Sequence, residues 1–153
     1  MIITFVGHSH MQLTDRTKDA VKQLIRSCIT ENETIYCYLG GYVLFDELCA
    51  CACRELKAEH LPLELIYVTP YLSISEQEKI STLQKFGLYD STIYPPIEKT
   101  PPKFAILKRN EWMISNADLV IAYVKTSFGG AYKSLQIAKR KKKKTVNLFE
   151  IIE

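Results

Sequence analysis

The sequence predicts an α/β fold of three layers, a mainly parallel sheet with helices on both faces, and three observations carry the prediction. Short apolar runs alternate along the chain with amphipathic patterns of about 12 to 15 residues, the rhythm of βαβ units. The run Asp118–Val124 (DLVIAYV) is apolar nearly without interruption, as expected of a strand covered on both faces. Loops after the runs hold glycine, at Gly7, Gly40-Gly41 and Gly129-Gly130, where a tight βα turn uses it.

Ile2–Val6 reads as the first strand. Thr14–Cys28 repeats apolar residues at Val21, Leu24, Ile25 and Cys28, a helical stripe. Thr34–Leu39 (TIYCYL) is the second strand, and Val43–Leu56 is a helix with Leu44, Leu48, Ala52 and Leu56 at i, i+4 spacing. Leu63–Val68 (LELIYV) makes the third strand, closed by Thr69-Pro70. Ser75–Phe86 is expected to be a helix because Glu76 and Glu78 follow Ser75 in a first turn. Ser91–Tyr94 is a short strand ending at Pro95-Pro96, and Pro101-Pro102 precedes a helix over Lys103–Asn116. After the DLVIAYV strand, Gly129 or Gly130 opens a last helix through Lys141, and Thr145–Phe149 is the final strand. No repeat, low-complexity linker or composition break divides the 153 residues, so one domain over 1–153 is expected.

Hydrophobic residues make up 47% and charged residues 24%, the balance of a soluble globular chain. No apolar run approaches the roughly 18 to 20 residues that span a bilayer. The opening segment Met1–Gly7 lacks a basic leader region and a cleavage site, so a cytoplasmic protein with no membrane partner is expected. The five cysteines, Cys28, Cys37, Cys49, Cys51 and Cys53, agree: an odd count without a secretory signal argues against a disulfide framework. Cys49-Ala50-Cys51-Ala52-Cys53 lacks the C-x2-C spacing of a zinc site, and on a helix Cys49 and Cys53 share a face while Cys51 points elsewhere. His8 and His10 have no third ligand of evident spacing, so no metal is expected. Net charge is +3, and Lys139–Lys144 (KRKKKK) supplies the excess. That run reads as a nucleic-acid patch or, more plainly, as the solvated end of a helix whose dipole it complements.

In a parallel sheet the ligand sits beyond the carboxyl ends of the strands. There the sequence places Gly7-His8-Ser9, then Gly40-Gly41 with Asp46 beyond, then Thr69, and last Ser127 with Gly129-Gly130. Glycine lets backbone N–H groups approach a ligand, and a helix N-terminus adds the positive end of a dipole; together they favour a phosphate. Each pair taken alone also serves as a plain turn. Neither G-x-G-x-x-G after a strand nor G-x-x-x-x-G-K-[ST] occurs, which sets aside conventional NAD dehydrogenases and P-loop NTPases.

Taken in order, these residues resemble the SLOG superfamily of Rossmann-like proteins, which joins the lonely-guy phosphoribohydrolases, the DNA-processing protein A family and small YpsA-like domains. The small group is the nearest match. Its motifs here read Gly7-His8, Gly40-Gly41 with Phe45-Asp46, Pro101-Pro102-Lys103-Phe104-Ala105, Arg109-Asn110-Glu111-Trp112-Met113, Ala117-Asp118 and Gly129-Gly130-Ala131. The resemblance implies a Rossmann-like fold and a nucleotide-type ligand, with Arg109 on its phosphate, Asn110 beside it and Asp46 as an acceptor for a ribose hydroxyl. The lonely-guy pattern has a catalytic Glu where this chain has Gln136, and Gly-Thr where it has Tyr132-Lys133. A neutral amide cannot stabilise a developing ribosyl cation, so recognition is expected to survive better than catalysis. The plainer reading of Arg109 is a surface salt bridge, of Asn110 a surface polar residue, and of Trp112 and Met113 packing.

Three functions follow, in order of expectation. The first is a sensor or regulatory domain binding a nucleotide derivative such as AMP, ADP-ribose or an NAD-like molecule, with no further cofactor. The second is an N-glycosidic hydrolase of nucleotides, with Arg109 its candidate catalytic group and Glu111 or Asp46 in place of the missing Glu. The third is single-stranded nucleic-acid binding through Lys139–Lys144 and surface tyrosines. A homodimer is expected only from the resemblance.

Overall fold

The computed structural model describes residues 1–10, 12 and 14–152. Its elements run β1 (Ile2–Gly7), α1 (Asp15–Ser27), β2 (Ile35–Leu39), α2 (Leu44–Ala58), β3 (Leu63–Val68), α3 (Ile74–Lys85) and β4 (Ser91–Ile93). They continue as α4 (Ala105–Asn116), β5 (Leu119–Tyr123), α5 (Gly129–Arg140), β6 (Lys144–Asn147) and α6 (Leu148–Ile152). The strands form one six-stranded sheet in the order β4-β3-β2-β1-β5-β6, and every pairing is parallel. This is the Rossmann-like α/β architecture that the alternation of apolar runs implies.

The period of two along each strand sends neighbours to opposite faces. Ile3 and Phe5 of β1 with Leu119 and Ile121 of β5 join the layer under α1, α2 and α6. Val6, Val120 and Ala122 face α4 and α5 instead. The chain walks outward from β1 to β4, crosses back through α4 and resumes beside β1 at β5. The strand order therefore reverses between β1 and β5, where such sheets hold a crevice beyond their carboxyl ends.

Several boundaries differ from the sequence reading. α3 begins at Ile74, because Ser73 rather than Ser75 caps it: the Ser73 hydroxyl accepts the Glu76 N–H at 3.3 Å. Pro102–Phe104 forms a separate 3-10 turn, so α4 starts at Ala105. The final strand is Lys144–Asn147, not Thr145–Phe149. The Asn147 amide occupies the end of the ladder, donating to Val124 O and accepting from Val124 N and Phe149 N, and the chain turns into α6. Cys37, Cys49 and Cys53 are buried, Cys51 is exposed and all five thiols are free. Among the described residues no helix is long and apolar enough to cross a membrane.

Candidate functional site

A cavity of about 710 Å³ opens at the reversal point, between the ends of β1 and β5 and under the first turn of α5. Of the residues singled out from sequence, it brings together Gly7, His8, Ser9, Asp46, Arg109, Asn110, Gly129 and Gly130. Gly40, Gly41, Thr69, Ser127 and Gln136 lie outside its lining. Ser127 is exposed on the turn and Gln136 is half-buried further along α5.

The N-terminus of α5 forms one wall. No side chain caps it: Phe128 stands at the cap position, and Thr126 hydrogen-bonds the Phe128 carbonyl rather than the helix. Its first-turn N–H groups therefore lack a side-chain acceptor. Gly129 has φ +90°, a conformation that admits glycine most readily, and no atom approaches within 4 Å of where a Cβ would stand on Gly129 or Gly130. One turn further in, Ser134 lines the cavity, 2% exposed, and its hydroxyl has no hydrogen-bond partner among the described residues. The sequence reading missed Ser134, although its position four residues after Gly130 puts both on one helical face.

Arg109 is not the surface ion pair of the plainer sequence reading. It is 2% exposed and lies against the sheet, where one terminal nitrogen donates to Gly40 O at 2.9 Å and Val68 O at 2.8 Å, and Nε donates to Asn110 Oδ1 at 2.9 Å. These carbonyls end β2 and lie at the end of β3, so the guanidinium clasps two strand ends. A Cβ on Gly40 would stand 3.0 Å from that guanidinium, which accounts for glycine there without a ligand. To the cavity Arg109 offers charge and its remaining terminal nitrogen rather than an unengaged fork.

Asp46 lies in the first turn of α2, fully enclosed, and accepts the Tyr42 N–H at 3.4 Å. Burial pushes its carboxyl up to about 6, against the opposing pull of Arg109 and of the Tyr42 and Val43 N–H groups. His8 Nε2 accepts the Lys125 N–H at 2.9 Å and so ties the end of β1 to the loop after β5. Burial and then the Lys125 charge lower the His8 pKa, so the ring is neutral near pH 7 and that bond assigns its proton to Nδ1.

Beside the cavity a second polar group was not legible from sequence. Glu76 is buried and accepts from Tyr42 Oη at 2.5 Å, Tyr67 Oη at 2.7 Å and Thr69 Oγ1 at 3.1 Å. Burial raises its pKa, but the three donors and Lys79 outweigh that and hold it below the ordinary value. The Tyr42 hydroxyl is pushed up to about 12 by burial and by this bond to Glu76. Thr69 is thereby committed to the network. Trp112 stacks on Tyr38 with ring centroids 5.6 Å apart and packs outside the cavity, whereas Met113, buried against Thr4, also lines it. Glu111 pairs with Lys108 at 3.7 Å and lies outside the cavity lining.

The architecture is shared with DNA processing protein A. The Helicobacter pylori protein, whose structure was described for its single-stranded DNA binding mode, superposes with a TM-score of 0.59 at 18% identity over 95% of this chain. The Streptococcus pneumoniae protein superposes with a TM-score of 0.63 at 19% identity over 94% of this chain. This chain spans 63% of the first and 48% of the second, so the likeness is one of fold over part of each protein. In sequence it is 25% identical over 142 residues to the uncharacterized SPbeta prophage-derived protein YoqJ of Bacillus subtilis (strain 168), covering 82% of this chain and 81% of that one. No family model matches.

Proposed function

We propose that the cavity binds a nucleotide through a phosphate seated at the N-terminus of α5, and that its natural form is a nucleotide within single-stranded nucleic acid. The observation that carries the reading is the Ser134 hydroxyl, buried, unpartnered and lining the cavity beneath a helix end that no side chain caps. A buried hydroxyl without a partner carries a desolvation cost of about 1–3 kcal/mol, which an anion accepting its proton offsets. The shared fold with DNA processing protein A supports the polymeric form over a free ligand. The order of motifs supports placing the chain with the small YpsA-like group of the SLOG superfamily.

A free nucleotide derivative such as AMP, ADP-ribose or an NAD-like molecule is the second reading. The cavity volume favours it, since about 710 Å³ lies within the range of small-molecule sites. Hydrolysis gains no supporting group, as Gln136 and Glu111 lie outside the lining and Asp46 is held by backbone N–H groups. Fluorescence anisotropy with a labelled oligothymidylate, beside calorimetric titration of AMP and ADP-ribose, separates the readings. Oligonucleotide binding that weakens with salt and in Ser134→Ala is expected. Tight binding of AMP or ADP-ribose without oligonucleotide binding would establish the second reading, and binding of neither would end both.

A further inference from the structure

Between Asp118 and Glu150 the chain contains no carboxylate, yet it carries Lys125, Lys133, Lys139, Arg140, Lys141, Lys142, Lys143 and Lys144. Most of that segment is the loop after β5, helix α5 and the turn into β6. Along α5, Gly129, Lys133, Gln136 and Arg140 follow at intervals of four, three and four and so share one face. Lys133 and Arg140 are exposed on it, while Ser134, Leu135 and Ala138 are buried. The stripe begins at the mouth of the cavity and ends, about 18 Å away at 1.5 Å per residue, in the exposed Lys139, Arg140, Lys141 and Lys142. Among the described residues none of these cations forms an ion pair. Lys143 alone is engaged, donating to Ser115 O at 3.0 Å.

One or two cations suffice to complement the C-terminal dipole of α5. Adjacent like charges beyond that repel one another, a cost that a polyanion laid across the face would offset. We propose that the outer face of α5 and the Lys139–Lys144 turn form a second contact surface for the phosphate backbone of a single-stranded nucleic acid, one of whose phosphates sits at the N-terminus of the same helix. This rests on the reading of the cavity given above. A membrane fits less well, because surface insertion needs apolar side chains among the cations. The only large exposed hydrophobic between 125 and 144 is Phe128, at the far end of the helix from the turn.

The test compares the wild-type chain with Arg140→Gln/Lys141→Gln/Lys142→Gln and with Ser134→Ala, using a 5′-phosphorylated thymidine dinucleotide and an oligothymidylate of about 12 nucleotides. The triple variant is expected to bind the dinucleotide as wild type does. It should bind the longer strand about tenfold more weakly, with the slope of log affinity against log salt reduced by about 2. Ser134→Ala should weaken both probes. An unchanged affinity and slope for the longer strand in the triple variant, with the dinucleotide still bound, would overturn the surface and leave the cavity reading intact. Loss of the longer strand in the triple variant but not in Ser134→Ala would keep the surface and overturn the cavity. No binding of either probe overturns both. Binding of phosphatidylserine vesicles that the triple variant loses, with oligonucleotide affinity unchanged, would assign the surface to lipid and overturn the proposal.

Discussion

At the scale of single residues, Ser134 and Asp46 carry the most consequence. Replacing Ser134 with alanine removes a buried hydroxyl that has no partner, so the unliganded protein should gain about 1 kcal/mol while nucleotide affinity falls about 5- to 10-fold. Urea unfolding beside anisotropy checks the pair of signs, and a loss of stability would show that the hydroxyl is satisfied in the folded state. Asp46 has a folded pKa of about 6, above its unfolded value, so the folded state binds the extra proton. Its contribution is full below about pH 4 and is lost as pH rises through 6. The stability of wild type relative to Asp46→Asn should therefore fall between about pH 4 and pH 6.5; a constant gap across that window contradicts it. Neither property was legible in the chain. A serine on an amphipathic helix looks ordinary, and the motif order that singles out Asp46 says nothing of its burial, until folding decides which donors and acceptors remain around them. Arg109 shows the same limit, for its place in the motif order was readable but its use on the Gly40 and Val68 carbonyls was not.

At the scale of elements, the start of α5 separates two glycines that look alike in sequence. Gly129 lies at φ +90° and Gly130 does not. Gly129→Ala should cost about 1–2 kcal/mol from backbone strain alone, since a Cβ meets nothing within 4 Å. Gly130→Ala should leave stability within about 0.5 kcal/mol, so any weakening of ligand binding there is steric. Thermal unfolding of the two variants tests this, and equal losses would refute it. The elements themselves were largely legible, because a period of two or 3.6 in apolar residues survives tertiary packing. What escaped were the ends, where a side chain decides: Ser73 in place of Ser75 as the cap of α3, and Asn147 closing β6 early.

At the scale of the whole molecule, Arg109 joins the far half of the sheet to its centre, since it sits on α4 and holds the ends of β2 and β3 together. Arg109→Met would strand two carbonyls and remove the cation beside Asp46. The expected loss is about 3–5 kcal/mol, read as a fall in melting temperature of about 10 °C. Arg109→Lys should recover little of it, because an ammonium cannot reproduce a guanidinium that serves three acceptors at once. A loss under about 1 kcal/mol would place the clasp among the dispensable contacts. The position of β1 has a consequence of another kind. It precedes every other strand of this domain in the sequence, yet it lies in the middle of the sheet, with Ile3 beside Leu119 and Gly7 beside Tyr123. One flank of β1 must therefore wait unpaired until β5 has been synthesised, exposed to other nascent chains and to chaperones. Because α5 follows β5 in the chain, the cavity closes only after both are made, and a nascent chain can acquire half a sheet before it acquires a binding site.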